Sequence, residues 1–180
     1  MKNVITGILA LFITVIGFTA CGGETEQSVE INTPEEVKEE KKKAADIADS
    51  AFTDGMTGKV FHNYLQVKMS LVNSDPAGVQ TAAANMAEGF GSDRADLKKT
   101  ARVMAESNDL ETQRAAFYEF TKMAESLFKN GLSGGTIYLQ YCPMAFDNTG
   151  ATWFSDTKEI RNPYFGEKML KCGKVQEVIN

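Results

Sequence analysis

The chain has 180 residues, of which 43% are hydrophobic and 24% are charged, with a formal net charge of -5 and one histidine. This length and composition favour a single globular domain with a modest core and some additional chain over two domains. Nucleic-acid binding draws most of its affinity from clustered Lys and Arg, and the negative net charge therefore excludes a nucleic acid as the partner.

The first twenty residues predict an export signal. An apolar run from Val4 to about Ala20 follows Lys2, carries no charge, and is short for a membrane span. The string at 18–23, FTACGG, resembles a bacterial lipobox, in which the chain is cut before Cys21 and Cys21 is then lipidated. We therefore expect a periplasm-facing protein of the cell envelope, in the outer membrane or another leaflet, that contacts the membrane through its lipid anchor only. The alternative is an ordinary secretory signal with an incidental cysteine.

Residues 21–50 are rich in Glu, Lys, Thr and Ala and contain almost no large apolar side chain. Such a segment buries too little apolar surface to offset the entropy lost on ordering, and it predicts a flexible tether. We expect the folded domain to occupy residues 51–180.

Apolar residues recur at helical spacing in four successive segments. They run from about Thr57 to Val72, from Pro76 to about Gly89, from about Ser92 to Met104, and from Leu110 to about Lys129. Asp75 before Pro76 and the capping box at 108–111 mark two of the helix starts. Short connections between amphipathic helices predict a mainly α fold, an antiparallel four-helix bundle.

The last part of the chain, from about 133 to 180, has a different pattern. Residues 136–141 and 151–154 are β-branched and aromatic, and the turn sequence DNTG lies between them at 147–150. These features predict a short C-terminal β-hairpin, followed by an irregular segment and a last short helix from about Glu167. Arg114 on the fourth helix is a candidate to bind backbone carbonyls of this segment or an acidic partner.

The C-terminal segment also holds two cysteines, each with a methionine nearby. Cys142 and Met144 are two residues apart on a predicted extended segment, while Met169 and Cys172 are three apart on a predicted helix, so each pair shares a face. Two thiolates and two thioethers form a soft donor set that suits Cu(I) best. An even pair of cysteines in an exported domain equally predicts a disulfide, worth roughly 3 to 4 kcal/mol in the chain-entropy model. Both interpretations stay open.

His62 is the only histidine, and it is a further candidate ligand if the metal is Zn²⁺, the second choice of metal. A single His cannot build a Ser-His-acid arrangement or a paired-His zinc motif in their usual forms. The two cysteines also lack the Cys-x-x-Cys spacing of thiol oxidoreductases. We therefore expect a protein without a catalytic site.

Two strings carry a resemblance to a known family: Tyr141-Cys142-Pro143-Met144-Ala145, and the run at 160–173, IRNPYFGEKMLKCG. Together with segments at 64–72 and 113–117, they resemble a bacterial domain family of unknown function from about residue 56 to the end. That family occurs as stand-alone lipoproteins and as an appendage to periplasmic adaptor subunits of copper and silver efflux pumps. The resemblance implies a helical domain associated with copper or a related metal.

Two hypotheses follow. In the first, an exported lipoprotein binds a soft metal ion, Cu(I) before Zn²⁺, and buffers it or passes it to an efflux adaptor. In the second, a disulfide-stapled, non-catalytic envelope module docks on a partner protein.

Overall fold

The computed structural model describes residues 50–180. The predicted signal at 1–20, the lipidation of Cys21 and the tether as far as residue 49 lie outside these residues and stay predictions. Within the described part of the chain, no helix is both long enough and apolar enough to cross a membrane.

Four α-helices form in the four segments that the sequence predicts. They are α1 (Gly55–Val72), α2 (Pro76–Glu88), α3 (Ala95–Glu106) and α4 (Leu110–Gly131), with a 3₁₀ turn at Ser92–Arg94 before α3. Aspartates cap three of them: Asp54, Asp75 and Asp109 each accept a hydrogen bond from the backbone N–H three residues on, at 2.7, 3.0 and 2.8 Å. Consecutive helices pack against each other, and α1 also contacts α4.

Tyr64 joins the helices to the sheet at the centre of the core. Its ring is fully buried and lies 4.8 Å from that of Phe117 and 5.2 Å from that of Phe128, centroid to centroid. Its hydroxyl is 2.8 Å from Thr121 Oγ1 and accepts a hydrogen bond from Phe154 N at 3.0 Å. Because this hydroxyl has a hydrogen-bond partner as donor and another as acceptor, the ring can lie in the apolar core without an unpaired polar atom.

Five short strands complete the fold of residues 50–180. Strands β1 (Ala51–Phe52) and β2 (Leu132–Gly134) form an antiparallel pair, while β3 (Ile137–Cys142), β4 (Ala151–Ser155) and β5 (Lys174–Ile179) form an antiparallel sheet in the order β4-β3-β5. The predicted hairpin is confirmed as β3 and β4. The described part of the chain is therefore mainly helical with a C-terminal antiparallel sheet.

The prediction of a last helix from Glu167 is wrong, because the structure has only one helical turn there. A 3₁₀ turn spans Gly166–Met169, and the chain then passes through Gly173, whose φ of 147° is open to glycine alone, into β5. The β-branched residues Val175, Val178 and Ile179 suit the strand, and pairing with β3 decides the conformation over local helix propensity.

A buried ion pair links α1 to the end of β4. Lys68 is only 3% exposed, and its Nζ donates hydrogen bonds to Ser155 Oγ at 3.0 Å and to Asp156 Oδ1 at 3.4 Å. Burial lowers the pKa of Lys68, and the carboxylate of Asp156 opposes that shift.

Removing one partner of this pair leaves the other without compensation. We expect Asp156→Ala to reduce the free energy of unfolding by about 1 to 3 kcal/mol in chemical denaturation, because the Lys68 ammonium stays buried. Lys68→Met should cost less than Asp156→Ala, since it removes the charge together with its desolvation. The exposed pair of Glu119 and Lys122 provides the control, and Glu119→Ala should change the value by less than about 0.5 kcal/mol.

The lowered pKa of Lys68 also predicts a pH dependence. Between the folded-state pKa and the ordinary value of 10.5, the unfolded chain binds more protons at this residue, and stability therefore rises with pH. We expect the free energy of unfolding of the wild type to rise relative to that of Lys68→Met from neutral pH towards pH 10.5. A difference that is constant or falls over this range would contradict the assignment.

Candidate thiol site

Residues 156–173, which we call the cover segment, lie over one face of the β3–β4 hairpin. This face carries Gln140, its cross-strand partner Trp153, and Cys142 two residues further along β3. Gln140 Nε2 donates hydrogen bonds to the carbonyl oxygens of Thr157 and Glu159, at 2.9 and 3.1 Å. The cover segment is therefore tied to the same face that holds Cys142.

The structure brings Cys142 and Cys172 together. Their sulfur atoms are 3.0 Å apart, although the two residues are 30 positions apart in sequence, and both are free thiols. Cys142 is fully buried at the end of β3, whereas Cys172 is half-buried near the end of the cover segment. Cys172 is therefore the side from which a reagent or metal ion reaches the pair.

The sulfur separation lies between two chemical states of a cysteine pair. A disulfide requires about 2.05 Å, while a metal ion with bonds of about 2.3 Å to two thiolates holds the sulfurs roughly 3.8 Å apart or more. In sulfur separation, each state lies about 1 Å from the arrangement in the structure. The pair can form a disulfide or hold a soft metal ion.

The two methionines differ in their placement. Met169 is half-buried, and its carbonyl oxygen accepts a hydrogen bond from Cys172 N at 3.0 Å, which joins the two residues in one turn. Met144 is 47% exposed and follows β3 by two residues. His62 is exposed on α1, and no group of three or more His, Cys, Asp or Glu side chains within residues 50–180 has the geometry of a metal site. The structure thus does not bring His62 to the two thiols.

The turn between β3 and β4 has an unusual backbone. Phe146, Asp147 and Asn148 all have positive φ values, of 50°, 54° and 68°. Asn and Asp tolerate this region, whereas for Phe it is strained. The Phe146 ring packs against Tyr118 at 5.0 Å and Tyr164 at 5.3 Å between centroids, and this packing holds the strained turn that carries Met144.

The surroundings of Cys172 make its thiol harder to deprotonate. Its hydrogen bond with Cys142 and its partial burial raise the pKa of the Cys172 thiol from 9.0 to about 11. Since the thiolate is the nucleophile and the metal ligand, the reduced pair is unreactive until a proton is removed.

This shift predicts the alkylation rate of Cys172. In the reduced wild type, iodoacetamide labelling of Cys172 should be slow at pH 8 and should rise until about pH 11. Cys142→Ala removes the larger cause of the shift, so its Cys172 should react several-fold faster at pH 8, allowing for the lower nucleophilicity of a more acidic thiol. Mass spectrometry measures these labelling rates, and the rate of Cys172 in the denatured protein gives the reactivity of the same thiol without the fold. Equal native rates in the two proteins would show that the thiol contact does not control the pKa.

Residues 60–134 match the model of a family described as "Protein of unknown function (DUF3347)". The matched region covers most of α1, all of α2, α3 and α4, and β2, and it ends before Cys142. No curated protein and no solved structure matches the chain. Residues 60–134, which hold most of the helical part, are thus similar to a domain of unknown function.

Proposed function

We propose that this protein is an exported lipoprotein that binds a soft metal ion, Cu(I) first, and buffers it or passes it to a heavy-metal efflux adaptor in the envelope. The metal is cargo held by the thiolates of Cys142 and Cys172, with the thioethers of Met169 and Met144 as further donors. The observation that carries the proposal is the 3.0 Å separation of two free thiols, one buried and one accessible.

The donor chemistry selects the ion. A site with two thiolates, and without a third Cys, His or carboxylate grouped beside them among residues 50–180, offers little to Mg²⁺ or Ca²⁺. It also lacks the four ligands of a structural zinc site. Thiolate and thioether sulfur are the ligands that Cu(I) prefers, which supports Cu(I) before Zn²⁺.

The remaining parts of the proposal come from the sequence. The lipobox at 18–23 supports an anchor at Cys21, and the efflux adaptor follows from the resemblance of the Cys-Pro-Met and Asn-Pro-Tyr strings. For the scaffold, we propose an antiparallel four-helix bundle, supported by the packing of consecutive helices and of α1 on α4. In this arrangement the helices form a rigid support, and the C-terminal segment holds the ion.

A disulfide between the same residues is the second candidate. It is favoured by the same short sulfur separation, since little movement is needed to form the bond. The disulfide would staple the cover segment to β3 in a module that docks on a partner protein, without any role for metal. Oxidation removes the thiolates, so the two functions require different redox states of one pair.

A titration under anaerobic conditions tests the first candidate. The reduced domain should compete with a Cu(I) chelator for one ion per chain, and Cys142→Ser or Cys172→Ser should each weaken binding by at least about 100-fold, because each removes one of two thiolates. Met169→Leu and Met144→Leu should weaken it less. Met123→Leu is the matched control, since Met123 is a comparably exposed methionine on α4. His62→Gln should leave Cu(I) affinity unchanged.

Absence of stoichiometric Cu(I) binding by the fully reduced wild type would reject the metal function. If, in addition, the exported protein contained no free thiols and lost stability on reduction, the stapled module would be the better account.

Cu(I) affinity should also rise with pH. Binding displaces the thiol protons, so the apparent affinity should increase by about tenfold per pH unit for each proton displaced. Because the pKa of Cys172 is raised to about 11, the increase should continue beyond pH 9, where an unperturbed thiol would level off. Measurements between pH 6 and 10 with a chelator of known pKa values check this expectation, and a plateau below pH 9 would contradict it.

A further inference from the structure

We infer that Asn162 is the positioning residue of the thiol pair: its side chain sets the place of Cys172 opposite Cys142, and with it the redox equilibrium and metal affinity of the pair. The inference rests on the thiol site of the proposed function, but it concerns the pair in both its disulfide and its metal-binding state.

Asn162 is fully buried within the cover segment, and all four of its polar groups have partners inside that segment. Its backbone N–H donates to Leu170 O at 2.8 Å, and its backbone carbonyl accepts from Gly166 N at 3.2 Å. Its side-chain Oδ1 accepts from Tyr164 N at 2.8 Å, and its Nδ2 donates to Cys172 O at 2.7 Å. The residue thereby closes the loop from 162 to 172 on itself.

The bond to Cys172 O is the direct link to the thiol pair. Cys172 lies between a 3₁₀ turn and β5, outside regular secondary structure. Its own N–H is bonded to Met169 O, so the carbonyl bond from Asn162 fixes the other side of the same residue. With hydrogen bonds on both its N–H and its carbonyl group, the backbone of Cys172 is held where its sulfur meets that of Cys142.

The side chain at position 162 must donate and accept at once. An ionised aspartate of the same shape can still accept from Tyr164 N, but it cannot donate to Cys172 O and faces that carbonyl with a negative charge. A buried carbonyl facing a carboxylate is driven away, which moves Cys172 from its place opposite Cys142. Asn162→Asp thus tests the position of one backbone group at nearly constant side-chain volume.

The helical part offers a matched control. Gln113 is also a fully buried amide whose Nε2 donates to backbone carbonyls, those of Pro76, Met104 and Ser107. Gln113→Glu makes the same chemical change in a buried amide that holds the ends of helices rather than the thiol segment. A general loss of stability should follow from both variants, whereas a change in the thiol pair should follow from Asn162→Asp alone.

The experiment equilibrates the full chain and its variants in glutathione buffers and measures the fraction of the Cys142–Cys172 disulfide by mass spectrometry. Disulfide formation oxidises the two thiols while one oxidised glutathione is reduced to two glutathione molecules, so the equilibrium constant reports how well the thiols are placed. We expect Asn162→Asp to lower this constant at least tenfold, which corresponds to about 30 mV, and Gln113→Glu to leave it within about twofold.

A constant for Asn162→Asp within twofold of the wild type would overturn the inference. Should Asn162→Asp lose the native helical circular dichroism, Asn162→Ser repeats the measurement with a smaller side chain. Loss of the native signal in both would also overturn it, because Asn162 would then support the fold as a whole. If the wild type binds no Cu(I) but Asn162→Asp still lowers the equilibrium constant tenfold, the metal function is rejected and the role of Asn162 is kept.

Discussion

Closure of the cover segment over the β3–β4 hairpin is the constraint on which the rest of the site depends. Cys142 and Cys172 lie 30 residues apart, and without fixed contacts the loop between them would spread the two sulfurs over many separations. Contacts with three different elements fix the segment: Lys68 of α1 bonds to Asp156, Arg114 of α4 donates from Nε to Pro163 O at 3.1 Å, and Tyr164 of the segment itself donates to Thr152 O of β4 at 2.6 Å. The helical part therefore determines the geometry of the thiol site through the cover segment.

The chemistry of these contacts explains why charged residues are buried here. An irregular segment leaves polar groups without a partner in a helix or sheet, and long cationic side chains reach them from helices: Arg114 bonds the Pro163 carbonyl and Lys68 the Asp156 carboxylate. Arg114 is 8% exposed and also bonds Glu111, while Gly166 passes so close to Ser74 and Arg114 that a side chain would not fit. Burying each charge costs desolvation, which the bonds to carbonyl and carboxylate oxygens offset.

Local signals predicted the helices and the hairpin, because each depends on residues close in sequence. Asp75 before Pro76, the start signal at 108–111 and the apolar spacing defined the helices, although the residue that caps α4 is Asp109, one position after the predicted Asn108. Arg114 was a candidate to bind carbonyls of the tail or an acidic partner, and it does bind the carbonyl of Pro163. Strand β5 and the β1–β2 pair escaped prediction, since both form by pairing with distant strands and carry little pattern of their own. The role of Asn162 could not be predicted from the sequence either. Its four bonds depend on how an irregular loop folds back, and no periodicity encodes such a path.

The pair of thiols differs from a rigid metal cage in having one fixed and one adjustable member. Cys142 is the last residue of the central strand β3, where it pairs with Ala151 of β4, and it is shielded from solvent. Cys172 is accessible, is held through its backbone, and retains the freedom of its side chain. Because the raised pKa lowers the thiolate fraction of Cys172, the pair resists adventitious alkylation. In the proposed function, a soft cation that displaces the protons gains two thiolates at once. This asymmetry suits an ion that must be taken up and given away through one exposed side.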